Sequence, residues 1–171
     1  MAGPGLTLLL LAAASWAGEK RDAVLELLGA FEEPVAQKNL EALGEGVDVE
    51  LMAIADDHAV PHSRRGNAVV ALQFYPTDPV HTFLVAHLAP GNDALLRRKA
   101  AHSLAAFGAA AVPELAPSLA DDDTQVRIAV VHALGRIEDP TARTALESRL
   151  PQEPEPAVKD AIAKALGAGT P

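Results

Sequence analysis

Six histidines are the residues in this 171-residue chain best suited to acid–base or metal chemistry. His58 and His62 stand four positions apart, a separation that puts two imidazoles on one side of a helix where they can share a metal ion. Pro61 interrupts that segment, and no third histidine or carboxylate follows at a fixed spacing, so the two read as loop histidines. The chain has no cysteine, which excludes disulfides, thiol catalysis and thiolate metal sites. It has no Gly-rich phosphate loop and no strand-turn-helix setting for a nucleophilic serine. These residues argue for a protein that is not an enzyme and that holds neither cofactor nor metal.

A second histidine pair, His102 and His132, is placed by a repeat. With Arg127 as origin, in Val126-Arg127-Ile128-Ala129-Val130-Val131-His132-Ala133-Leu134-Gly135, equivalent positions fall at Ala36, Arg65, Arg97 and Lys159, with steps of 29, 32, 30 and 32 residues. Seven residues beyond each origin stand Leu43, Leu72, Leu104, Leu134 and Leu166; immediately before them stand Ala42, Ala71, Ser103, Ala133 and Ala165. Three beyond the origin come Asn39, Ala68, Ala100, Val130 and Ile162, and one before it Val35, Arg64, Leu96, Val126 and Val158. These columns share one side of a 3.6-residue helix.

Between these helices lies another apolar-periodic segment, such as Val24, Leu27, Leu28 and Phe31, or Val80, Leu84 and Leu88, or Val112, Leu115 and Leu119. Each unit is therefore expected to be a helical hairpin. Asp78-Pro79 and Asp139-Pro140 are helix-start signals, because Asp can accept first-turn amides and Pro needs no donor there. Asp56-Asp57 and Asp121-Asp122-Asp123 occupy turns, and Gly44, Gly135 and Gly167 fall at expected helix ends. Pro117 lies within the expected first helix of the fourth unit and should bend or shorten it.

Composition agrees with an all-α chain. Hydrophobic residues make up 49% but aromatics only 4%, and the apolar mass is chiefly Ala, Leu and Val, which suits closely approaching helices. The net charge of −9 disfavours nucleic acid and anionic membrane as partners.

The first seventeen residues differ in kind. From Leu6 to Ala14 the chain is apolar apart from Thr7, and Ser15 and Ala17 are small residues where a signal peptidase reads. The run is shorter than the ~20 residues that span a bilayer, so it reads as a cleaved export signal at 1–17, not a membrane span. The remaining chain, 18–171, is expected to be one repeat domain, periplasmic or secreted.

The unit Leu…Asp…Val-Arg…Ala…Ala-Leu-Gly, clearest at Val126–Gly135 and Val158–Gly167, resembles the HEAT-like repeats first associated with phycobilisome lyases. The resemblance extends over about residues 22–168 and is poorest in the first unit, where Ala36 replaces the usual Arg. It implies an all-α, right-handed α/α superhelix, an α-solenoid of about five helical hairpins, that binds proteins along its concave face. It also implies that the basic residue at each origin pairs with Asp residues in the inter-helix turns; Asp57, Asp93 and Asp123 lie near Arg65, Arg97 and Arg127. Two enzyme readings accompany the family. Di-iron members use His-Glu dipeptides, of which this chain has none. The lyases handle a bilin in the cytoplasm, whereas this chain carries an export signal. An accessory protein of an enzyme, or a ligand- or chromophore-handling lyase-like protein, is the alternative to a protein-interaction scaffold.

His102 and His132 each stand five residues after their origin, in a column pointing roughly opposite to the Leu column. In this family that side of the second helix lines the concave face. With Arg98, Ile128 and Arg136 they form the expected protein-binding ridge. Residues 18–57 hold eleven acidic and three basic side chains, so nearly all the net negative charge lies there and the ridge region is close to neutral. An acidic protein partner is therefore expected, and the uncapped ends of a repeat stack allow self-association. Export should leave Gly18 as the first residue of the mature protein. N-terminal sequencing of protein from the cell envelope checks this, and an intact Met1 would contradict it.

Overall fold

The computed structural model describes residues 18–29 and 37–167; the expected export signal at 1–17, together with Phe31, Val35 and Ala36, lies outside the described residues. The described residues are helical, with no strand among them. In chain order they form α1 (residues 18–28), α2 (Gln37–Glu41), α3 (Val47–Asp56), α4 (His62–Ala71), α5 (Asp78–Leu88), α6 (Ala94–Leu104), α7 (Val112–Leu115), α8 (Thr124–Gly135), α9 (Pro140–Arg149) and α10 (Pro156–Gly167). The chain divides into two compact units, one up to Ala68 and one from Val69 onward, with the boundary inside α4.

In the first unit, α1 is tied to the segment from Glu45 to Asp57. Arg21 donates to Glu50 at 2.7 Å and to Asp57 at 2.5 Å, and Lys20 donates to the Glu45 carbonyl. Val24, Leu28, Leu40, Val47, Leu51, Ile54 and Ala55 form its apolar interior. The α2 segment departs from the repeat. Asn39, in a column expected to be buried, is exposed, and Leu40 is buried in its place. With five residues, α2 offers the interior a single side chain, and the apolar one occupies it.

In the second unit the helices that begin near each origin pack in succession, α6 against α8 and α8 against α10. The intervening segments back them: α5 on α6, residues 112–120 on α8, and α9 on both α8 and α10. Leu72, Leu104 and Leu134 of the Leu column are buried, as are Ala71, Ser103 and Ala133 beside them and Ala100, Val130 and Ile162 of the third column. Leu166, the last of the column, is only half-buried, and so is Leu43 in the first unit. The small column also carries one buried hydroxyl: Ser103 donates to the Val69 carbonyl at 2.8 Å, which satisfies a group that would otherwise be costly to bury.

The expected boundaries hold at Asp139, which accepts from the Thr141 amide at 2.8 Å and caps α9. They shift at Asp78, which is the first residue of α5, with Thr77 before it and no side-chain cap. Gly135 is the last residue of α8, where the repeat places a helix end. Its backbone is helical, and the constraint on it is space: a Cβ there would lie 2.9 Å from the Ala165 Cβ of α10, so the closeness of α8 and α10 depends on its absence.

Pro117 acts as the sequence indicates. The segment is α-helical only over α7; residues Ala105–Ala111 and Ala116–Ala120 wind as tighter 3-10 helix. Gly108, at φ 59° and ψ −140°, breaks the helical path in a conformation that side chains resist. As a stretch, 94–120 is long and apolar enough to cross a membrane. The break at Gly108 leaves α6 with 11 residues, about half a bilayer span, and Leu96, Ala100, Leu104, Leu115 and Leu119 are buried in the unit's own core.

Leu134 is 1% exposed, so Leu134→Ala should cost about 2–5 kcal/mol, through lost burial and the cavity left behind. Leu166→Ala should cost clearly less, because part of that side chain already meets solvent. Equal losses in denaturant melts would contradict this packing.

Candidate protein-binding ridge

Two charged interactions set the second unit's helices in register, and neither joins the residues nearest in sequence. Arg97 forks onto Asp121, Nε to Oδ2 and Nη2 to Oδ1, both at 3.0 Å, and Arg97 also donates to the Asn92 carbonyl. Arg127 forks onto Glu153, Nε to Oε2 at 3.1 Å and Nη2 to Oε1 at 3.0 Å. The acid lies 24 residues ahead in the first case and 26 in the second, in the turn before the next helix of the series. Asp123, by contrast, caps α8 by accepting from Gln125 and Val126, and Asp93 caps α6 in the same way. The expected ladder of arginines and turn aspartates thus forms with each bidentate step moved forward by one turn. Arg65 takes a different partner, the Ala55 carbonyl at 2.8 Å, while Asp57 pairs with Arg21.

Glu153 is the most enclosed carboxylate in this network, at 1% exposure. Arg149 donates to its Oε2 from Nε at 3.0 Å and from Nη2 at 2.6 Å, and the Glu155 amide donates to Oε1 at 3.1 Å. Burial alone would raise its pKa. The hydrogen bonds from Arg149, Glu155 and Arg127, with the Arg127 charge, outweigh burial and hold the carboxyl below its ordinary value.

On this frame, Arg98 and His102 lie on α6, Ile128 and His132 lie on α8, and Arg136 follows the last residue of α8. His102, His132 and Arg136 are exposed; Arg98 and Ile128 are partly so. The whole fifth column, from Glu41 and Val70 through the two histidines to Lys164, is exposed or half-exposed, opposite the buried Leu column. One direct contact joins the two helices at the ridge: Arg136 Nη1 lies 3.2 Å from His102 Nδ1. Partial burial, then Arg136, then Lys99 lower the His102 pKa below 6.5, so His102 gains charge at a lower pH than the sequence-based expectation of about 6.5. Arg98, unlike Arg97 and Arg127, takes part in no ion pair among the described residues. An open cleft of about 610 Å³ adjoins Arg136, lined among others by Leu134, Ile137, Arg143, Leu146 and Leu166.

The forward arginine pairing was missed because Asp93 and Asp123 are closer in sequence and equally acidic. Its only sequence signal is the similar offset of two chemically different acids. The Ser103 hydroxyl had no signal beyond small size, and the cleft had none. Among the described residues, no group of three or more metal-capable side chains comes together.

A series of helices with matching buried columns and repeated arginine clamps defines a helical-repeat protein. A family model described as HEAT repeats matches residues 81–167, just over half of the chain, and the chain belongs to that family. The match is to HEAT repeats in general and does not single out the lyase type. No curated protein matches the chain.

The low pKa of Glu153 fixes a pH dependence. A carboxylate whose folded pKa is depressed stabilises the fold above its ordinary value of 4.5, and that contribution disappears as pH falls through the folded value. Glu153→Gln should lose about 1.5–3 kcal/mol at neutral pH, as charge-assisted hydrogen bonds weaken. The gap from wild type should narrow below pH 4.5. Thermal melts at several pH values check this; a gap that stays constant or widens in acid would contradict it.

Proposed function

We propose that this chain is an exported, non-enzymatic HEAT-repeat scaffold, a right-handed superhelix of about five hairpins that binds an acidic protein partner along its concave face. HEAT repeats generally serve as protein-interaction scaffolds. The observation that carries the reading to particular residues is the exposed fifth column. Its histidines recur on the packed pair α6 and α8, so Arg98, His102, Ile128, His132 and Arg136 can meet one extended ligand together.

The sign of the partner follows from which cations are committed internally. Arg97 and Arg127 are paired with carboxylates of the same unit, whereas Arg98 and Arg136 keep solvent-facing donors suited to a partner's Asp or Glu side chains. Binding that rests on these charges should weaken as salt rises. Self-association through the ends of the repeat series is a further property of this reading, visible as a mass that depends on concentration.

Affinity capture from the cell envelope with the mature chain as bait supplies a partner. Arg98→Glu combined with Arg136→Glu should then weaken binding at least tenfold, two charge reversals at a partly desolvated contact, while leaving helical circular dichroism unchanged. Wild-type affinity in that double variant would show that the ridge is only a solvated surface.

A further inference from the structure

The contact between Arg136 and His102 has a direction fixed by chemistry. A guanidinium only donates hydrogen bonds and keeps its proton in proteins, so across the 3.2 Å separation His102 Nδ1 must be the acceptor. The ring in this contact is therefore neutral, with its proton on Nε2. A proton added at Nδ1 would set an N–H against a cationic N–H, and the contact would be replaced by repulsion.

We propose that His102 and Arg136 form a proton-controlled latch across α6 and α8: the neutral ring holds the guanidinium in place, and protonation releases Arg136 toward solvent and adds a second positive charge beside it. This deepens the reading of the ridge as an acid-binding surface, because acid would then increase both its charge and the freedom of its terminal arginine.

The surroundings support the neutral form at ordinary pH. His102 stands in the last turn of α6, where the helix's partial negative charge favours a cation. Partial burial, Arg136 and Lys99 act the other way and prevail. Among the elements packed on α6, α8 carries His132 and Arg127, the latter paired with Glu153, and α5 carries Asp78, His81 and His87; the charges that act on the His102 ring are those of Arg136 and Lys99. Protonation of His102 thus takes place among cations, and moving Arg136 away relieves part of that repulsion. Proton uptake and arginine release are coupled.

NMR titration of the full chain tests this without any partner. The ring resonances of His102 should titrate below 6.5, and the Arg136 Nε–H resonance should shift with the same midpoint. Arg136→Met should move the His102 midpoint upward. Lys99→Met should also raise it while leaving the Arg136 resonance coupled to the ring. An Arg136 Nε–H that ignores the His102 titration, or a His102 midpoint unmoved by Arg136→Met, would overturn the latch. With a hexa-aspartate peptide as probe, shift changes at the ridge should grow on acidification in wild type and not in His102→Gln. A peptide without effect, alongside the coupled titration, would count against the acidic-partner reading and leave the latch standing.

Discussion

Arg127 is a buried guanidinium, and the need to neutralise it governs how the end of this chain packs. At 7% exposure it cannot rely on water, and a charge left alone in such surroundings is far costlier than an exposed one. Its partner, Glu153, comes from the turn preceding α10, and the carbonyls of Asp121 and Asp122 take up a further donor. Because the fork matches only one placement of the carboxylate, the pair selects a position for α10 against α8. Arg97 and Asp121 do the same for the turn that leads into α8, with side chains 12% and 5% exposed. Such pairs add little net stability compared with an apolar contact of equal size; what they add is register, since a slipped helix would strand a buried charge.

Register is what turns a set of helices into a surface. Apolar columns alone tolerate small slides, because Leu, Val and Ala accept one another's neighbours. With the arginine forks in place, Leu104 and Leu134 occupy equivalent buried positions, Gly135 allows Ala165 to approach, and the residues opposite the Leu column face solvent. His102 and Arg136 come within hydrogen-bonding distance for the same reason. Arginine thus has two roles distinguished by burial: at the origins Arg97 and Arg127 it organises the interior, and one or nine residues later, at Arg98 and Arg136, it remains available to a ligand.

The periodic part of this design was legible from residue types. A helix buries a stripe of fixed period, so Leu72, Leu104 and Leu134 revealed the units, and the fifth column followed by geometry. Legibility failed where position depends on contacts distant in sequence. The acids beside the origin arginines looked like their partners, yet Asp123 is a helix cap, and the carboxylate that matters is Glu153, 26 residues ahead of Arg127. Gly135 does end α8, as its position in the repeat suggests, but its second role, making room for Ala165 of a neighbouring helix, could not be read from the sequence. In α2, with one turn and no arginine at the origin, the column assignment fell on Asn39 when Leu40 was the buried residue. Ridge membership could be read as exposure; the bond between Arg136 and His102 could not, because it depends on how far α6 and α8 are offset along their axes.

The most direct test of a fold held in register by forward arginine clamps is a double-mutant cycle on Arg127 and Glu153, each replaced by Met, with stability taken from denaturant unfolding. The clamp predicts that either single change is severe because it leaves a buried charge unpaired, and that the double variant recovers much of the loss, giving a coupling of at least about 1.5 kcal/mol. Additivity within about 0.5 kcal/mol would contradict it, showing that α8 and α10 are aligned by their apolar columns alone.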